Sequence, residues 1–267
     1  MFRLLFTLFI FILANPGKAD TICALVFDVN NETFLLKEGN CDQPISPAST
    51  FKIPLSLIGY DSGYLTDLDL PELPFKADYP AALPSHKHET SPTYWMKNSV
   101  VWYSQLLTEW LGIKRFNHYV EAFDYGNKDL SGDTGKHNGL TRAWLSSSLK
   151  ISPLQQLSFL QKLLNRELPV KEPAYQYTET LLKQEQSKDT EYDEVYGKTG
   201  SVTSPVDKNG LILEGRQFGW FIGWAQKNDN KYIFVNIVNE PKIEGVYPSQ
   251  KAKKEILDKL AVVTKSN

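Results

Sequence analysis

Several things are scarce in this 267-residue chain, and each scarcity excludes a class of function. Two cysteines and four histidines are too few for a zinc cluster or for a small fold stapled by several disulfides. Neither charge dominates: 29 basic residues face 31 acidic ones, for a net charge of −2. That balance supplies no field for gripping nucleic acid or an anionic membrane surface. Beyond the first twenty residues there is no apolar run long enough to cross a bilayer, no internal repeat and no low-complexity linker. With hydrophobic residues at 42% and charged residues at 22%, a large folded core is expected and disorder is excluded.

The one long apolar run is Leu4 to Ala14, which follows the short positive start Met1-Phe2-Arg3. Its eleven residues fall short of the roughly 20 that a spanning helix needs. Asn15 to Ala19 then breaks the run and offers small residues at Gly17 and Ala19, the positions a signal peptidase reads. Residues 1–19 are therefore expected to be a cleaved secretory signal, with Asp20 as the mature N-terminus and the periplasm as destination. Residues 20–267 are expected to form one domain with no membrane attachment, carrying 27 basic against 31 acidic residues.

Export changes how the cysteines read. Thr21 to Val29 is strand-like, Asn30-Asn31 is a polar turn, and Thr33 to Leu36 is a second apolar run leading to Cys41. An antiparallel hairpin about residues 31 and 32 brings position 23 near position 40. Cys23 and Cys41 then approach across the open end, where an oxidising compartment would join them; two buried free thiols are the alternative.

The remainder reads as mixed α and β. Helices are expected over Thr50 to Tyr60, Val101 to Leu111, Lys114 to Phe123, Pro153 to Asn165 and Glu255 to Val263. Strands are expected over Gly219 to Ala225 and Lys231 to Val238. The fold class is thus α/β: a mostly antiparallel sheet flanked by helices, with an inserted helical subdomain.

The chemistry lies in short motifs. Ser49-Thr50-Phe51-Lys52 puts a hydroxyl and an amine on one helix face. Serine needs an adjacent base to be a nucleophile, and lysine is a base only when uncharged. Apolar neighbours and a helix N-terminus both push Lys52 towards the neutral form. Ser147-Ser148-Leu149-Lys150 repeats the spacing, but only 48 residues separate Lys150 from Lys198, leaving no room for a helical subdomain. Lys198-Thr199-Gly200, on a strand beside the nucleophile, offers a cation, a hydroxyl and an open backbone edge to an anionic substrate. Between the two lie Ser99-Val100-Val101, Tyr125-Gly126-Asn127 and Trp144.

In this order the motifs resemble those of the class D, oxacillinase-type serine β-lactamases, over nearly all of the mature chain. The resemblance implies a serine β-lactamase or transpeptidase-like fold and hydrolysis of β-lactams, penicillins above all, giving antibiotic resistance. It implies Ser49 as nucleophile and Lys52 as general base in the form of N6-carboxylysine. No cofactor is implied beyond the carbon dioxide or bicarbonate that carboxylates it, and no metal. It further implies that the Trp144 indole holds the carbamate and that Val101 keeps its pocket dry. Ser99 would pass the proton to the leaving ring nitrogen. Lys198 and Thr199 would meet the substrate carboxylate, and the backbone N–H groups of Ser49 and Ser201 would form the oxyanion hole. Trp220 to Trp224 is similar to the family's strand after Lys–Thr–Gly.

Two departures stand out. The stretch between Asn127 and Trp144 is longer than the commonest pattern. No arginine occurs from Gly219 to the C-terminus, where many members place one for the carboxylate; a subgroup shares both traits and uses hydroxyls, here Ser249. A penicillin-binding transpeptidase would normally carry asparagine where this chain has Val101. A β-lactam sensor domain would hang from several membrane segments. His86-Lys87-His88 is expected in a solvated loop rather than at a metal, and Gly132 to Lys136 lacks phosphate-loop spacing and reads as turn chemistry. Substrate breadth is expected to depend on the loop from Val202 to Arg216.

Overall fold

The computed structural model describes residues 20–185, 191–203, 213–243, 245, 247–265. The expected signal, residues 1–19, lies outside the described residues, as does most of the Val202 to Arg216 loop.

Five strands form one antiparallel sheet: β1 (Asp20–Asp28), β2 (Thr33–Gly39), β3 (Glu194–Val202), β4 (Arg216–Lys227) and β5 (Asn230–Pro241), in the order β2-β1-β5-β4-β3. The expected hairpin forms, with one change of register. The Asp28 carboxylate accepts the backbone N–H groups of Asn30 and Asn31 at 3.0 Å each, which centres the turn one position earlier. A bulge between Val26 and Phe27 follows, so Cys23 faces Gly39 rather than position 40. Cys41 still reaches across, and the Cys23–Cys41 disulfide is formed, with Cα atoms 5.1 Å apart.

Between β2 and β3 lies the helical insertion: α1 (Lys52–Ser62), α2 (Pro92–Asn98), α3 (Val101–Ala122), α4 (Gly139–Arg142), α5 (Pro153–Leu164) and α6 (Glu172–Leu182). The two helices expected around Gly112 both form and meet at a kink, a non-helical Gly112 at φ 71°; together they are numbered α3. A Ser152–Gln155 capping box starts α5, reinforced by Pro153 in the first turn. Trp220, Ile222 and Trp224 of β4 pack into the core shared with these helices. Phe221 and Ala225 point to the other face, which is covered by α7 (Pro248–Val263). Burial on both faces explains why β4 reads as an uninterrupted apolar run. Helix α7 begins well before the expected Glu255, because Pro248 starts it and its polar first turns still pack against β4. None of the helices among the described residues is long and apolar enough to cross a membrane.

Candidate active site

The segment expected to be all α-helix from Thr50 begins instead as a 3₁₀ turn, Ala48–Phe51, with Lys52 opening α1. Residues three apart eclipse in a 3₁₀ turn, so Ser49 and Lys52 share a side. Ala48 adopts φ 48°, a left-handed conformation that costs about 1 kcal/mol or more in a residue with a Cβ. It survives because the turn is tied down around it. The Ala48 N–H donates to Trp144 O at 3.0 Å, and Thr50 Oγ1 donates to Pro47 O and accepts from Gln156. Ser46 Oγ also donates to Trp144 O, at 2.8 Å, while the Trp220 indole donates to Ser46 O at 3.0 Å. One short segment thereby joins the serine turn, the Trp144 loop and the sheet.

Lys52 is 1% exposed and its Nζ has no hydrogen-bond partner. Burial first, and the charge of Lys198 second, hold its amine well below the usual lysine range, so the neutral base demanded by the motif is what the site favours. Trp144 is fully buried, stacks on Phe51 at 5.6 Å between ring centroids and leaves its indole N–H without an acceptor. Tyr125-Gly126-Asn127 shapes the loop that carries it. The Asn127 side chain donates to Ser148 O and accepts the Lys150 N–H, and a Cβ on Gly126 would lie 2.1 Å from Lys150 O. The competing Ser147–Lys150 pair belongs to this turn, not to a helix face.

Ser99 caps α2 at φ 55° and accepts a hydrogen bond from Lys198 Nζ at 2.5 Å. Lys198 is 5% exposed. Burial, then the charge of Lys253, lower its pKa to about 7. Thr199 Oγ1 lies 3.5 Å from the same ammonium. Strand β3 is a sheet edge, and Gly200 is glycine because a Cβ there would meet Pro47 O and Thr50 N at 3.0 Å each. The edge therefore lies directly against the serine turn. Ser249, in the first turn of α7, bonds to Ser201 Oγ at 3.1 Å rather than to Thr199. What admits it is Gly219, where a Cβ would collide with Pro248 and Ser249. Val101 is half-buried on a cavity wall, while its neighbour Val100 is the fully buried one.

Two cavities open on this constellation. One of about 620 Å³ runs along β3 past Lys198, Thr199 and Lys253. The other, of about 390 Å³, is bordered by Ala48, Val101, Ser201, Arg142 and His86. His86 corrects the sequence expectation: it is 5% exposed, not solvated. A 3₁₀ turn over Pro84–His86 tucks the ring inward, and the Trp102 indole donates to His86 O at 2.8 Å. His88 remains exposed, stacked on Tyr94. Sequence reasoning missed His86, Ser46 and Gly219. Only Gly219 carried a signal, as a glycine within a strand marks close backbone approach. Among the described residues, no group of three or more His, Cys, Asp or Glu is placed to hold a metal ion.

Comparison with known proteins adds the family. Residues 21–261 match the penicillin binding protein transpeptidase domain. The chain is 40% identical over 242 residues to the β-lactamase OXA-9 of Klebsiella pneumoniae, covering 90% of this chain and 87% of that one. It is 38% identical over 240 residues to the β-lactamase OXA-1 of Escherichia coli, covering 88% and 82%. The solved structure of the OXA-427 class D β-lactamase superimposes with a TM-score of 0.84 at 47% identity, covering 91% of this chain and 98% of that one. The chain belongs to the class D branch of this transpeptidase-domain family, the serine enzymes that hydrolyse β-lactam antibiotics.

Proposed function

We propose that hydrolysis runs through an acyl-enzyme on Ser49, with Lys52 carboxylated to supply the base. The observation that carries this reading is the buried pair of orphan donors, Lys52 Nζ and Trp144 Nε1. An unmatched buried polar group costs about 1–3 kcal/mol, and a carboxylate on Lys52 would give the indole an acceptor. When present, that carboxylate supplies an anionic oxygen able to take a proton from serine and then from water. The chain's own residues do the rest. The backbone N–H groups of Ser49 and Ser201 polarise the lactam carbonyl. Lys198 and Ser99 hold a proton beside the departing ring nitrogen. Thr199, Ser201 and Ser249 present hydroxyls to the substrate carboxylate in place of an arginine. Val101 limits water beside Lys52.

Penicillins are the expected substrates, the protein acting as a single domain, residues 20–267, in the periplasm after loss of residues 1–19. Purified protein should turn over penicillin and nitrocefin many times per molecule, and added bicarbonate should raise the rate. A single stoichiometric burst with penicilloyl retained would indicate instead a β-lactam sensor or a transpeptidase.

A further inference from the structure

The larger cavity holds more cations than the chemistry above uses. Among the described residues lining it, four lysines, Lys97, Lys183, Lys198 and Lys253, face a single carboxylate, Glu185. Glu185 is taken by Lys97 at 2.7 Å, and Lys183 by Glu194 outside the lining. Lys198 serves Ser99. Lys253 is left over: it is half-buried, and its partners are an amide and an aromatic ring rather than a carboxylate. Its ammonium lies 5.3 Å from the Phe221 ring centroid and donates to Gln184 Oε1 at 2.6 Å. Gln184 is itself fixed along the edge of β3, its N–H donating to Val195 O at 2.8 Å and its side-chain amide to Gly197 O at 2.9 Å. Phe221 is the cross-strand partner of Thr199, so Lys253 packs on the face of the sheet to which Thr199 points. Along α7, Lys253 stands one turn beyond Ser249, about 5–6 Å away between Cβ atoms. An ammonium has three donors, and the one spent on Gln184 leaves two for a ligand. Burial lowers the Lys253 pKa, with Glu185 opposing, as befits a cation short of a counter-charge.

We infer that Lys253 is a second anion site, selecting β-lactams that carry another negative charge, such as a sulfonate, on the ring fused to the lactam. This rests on the substrate orientation given under the proposed function. In a bicyclic β-lactam the carboxylate and the ring nitrogen belong to the fused ring, whereas the acylamino side chain hangs from the lactam ring beside the carbonyl. With the carboxylate at Thr199, Ser201 and Ser249 and the nitrogen beside Lys198, a substituent next to that carboxylate is aimed along the cavity of about 620 Å³. The acylamino group lies towards the other cavity, which borders Ala48 and Ser201. A sulfonate reaching one helical turn past Ser249 then meets the Lys253 ammonium. The gain is in binding alone, and no bond is made or broken there.

The test compares cefamandole with cefonicid, cephalosporins that share an acylamino side chain and whose fused-ring substituents end in a methyl and a sulfomethyl group respectively. Each is titrated as a competitor of penicillin turnover by the full chain, so binding is read whether or not the competitor is hydrolysed. Cefonicid should compete about tenfold better, the worth of one charge-assisted hydrogen bond. Lys253→Met should bring the ratio to within about twofold of unity, and Lys253→Arg should keep it. Lys253→Gln gives the same reading should Lys253→Met fail to fold. Lys254→Met removes an exposed cation paired with Asp258 and should leave the ratio unchanged, which separates contact from net charge. Equal competition by the two compounds in wild type overturns the inference. So does a ratio that survives loss of Lys253 or falls as far in Lys254→Met. Wild type that fails to turn over penicillin overturns the functional reading and the inference with it, whereas normal turnover without a sulfonate preference overturns the inference alone.

Discussion

Lys52 Nζ and Trp144 Nε1 are both buried, and neither has a hydrogen-bond partner. Phe51, the residue before Lys52, stacks on the Trp144 ring, so the two donors are held by one aromatic contact. Trp144→Phe keeps the stacking and removes the N–H. Acyl-enzyme should then accumulate and turnover should fall by about 10²–10³, the usual effect of deleting one preorganised donor. Rapid-quench mass spectrometry checks it, and unchanged turnover would reduce Trp144 to a packing residue.

Lys52 is held against stability. An unfolded lysine keeps its proton up to about pH 10.4, whereas buried Lys52 and Lys198 are lowered, Lys198 to about 7. Between its folded and unfolded values each lysine binds more protons in the unfolded chain than in the folded one, so the contribution of Lys198 to stability rises with pH from about 7 upward, that of Lys52 rises in the same direction, and both reach full strength only above about 10.4. Lys52→Met removes the ionisable group. It should raise Tm at neutral pH by about 2–4 °C for each kcal/mol of burial cost relieved, while abolishing turnover. Calorimetry showing a lower Tm would contradict this.

Lys198 sets the alkaline side of substrate capture. In enzyme freed of carbon dioxide its cation is lost as pH rises through about 7, so kcat/KM for an anionic penicillin should decline there. An anion on Lys52 would favour the charged form of Lys198, so saturating bicarbonate should move that limb to higher pH. A limb insensitive to bicarbonate would separate the two lysines.

The carboxylate site has a backbone determinant as well as a hydroxyl. Ser249→Ala should weaken kcat/KM for penicillin by about 1–3 kcal/mol, the range for a hydrogen bond to an anion. Gly219→Ala should do at least as much harm, because its Cβ would lie 2.1 Å from Pro248 C and push the start of α7 away from Ser201. Normal kcat/KM in Ser249→Ala would leave the carboxylate to Lys198 and Thr199.

The disulfide closes a separation of 18 residues, which corresponds to about 3 kcal/mol of loop-closure stabilisation. Cys23→Ala with Cys41→Ala should lower Tm measurably yet leave kcat intact, since the bridge ties β1 to the end of β2, away from Ser49.

The order of the short motifs, the hairpin and the late strands were legible because each rests on local chemistry: periodicity, turn residues, fixed spacing. What escaped was set by long-range packing. Ser46 joins Trp144 and Trp220 through single hydrogen bonds from residues 98 and 174 positions away, and no local pattern announces such a node. His86 looked solvated beside prolines and a charged neighbour, until Trp102 drew its backbone inward. The α7 start was hidden because its first turns are polar, and Gly219 rather than hydrophobicity lets them pack. Helix α6 went unread as well: its few buried positions, Ala174, Tyr175, Thr178 and Leu182, include too little apolar surface to stand out.

Rapid-quench intact mass of the protein mixed with penicillin, followed by peptide mapping, tests Ser49 as the nucleophile. One penicilloyl group per chain is expected, carried on Ser49, lost as turnover completes and absent from Ser49→Ala. Labelling that persists in Ser49→Ala, or that maps to Ser147, would contradict it.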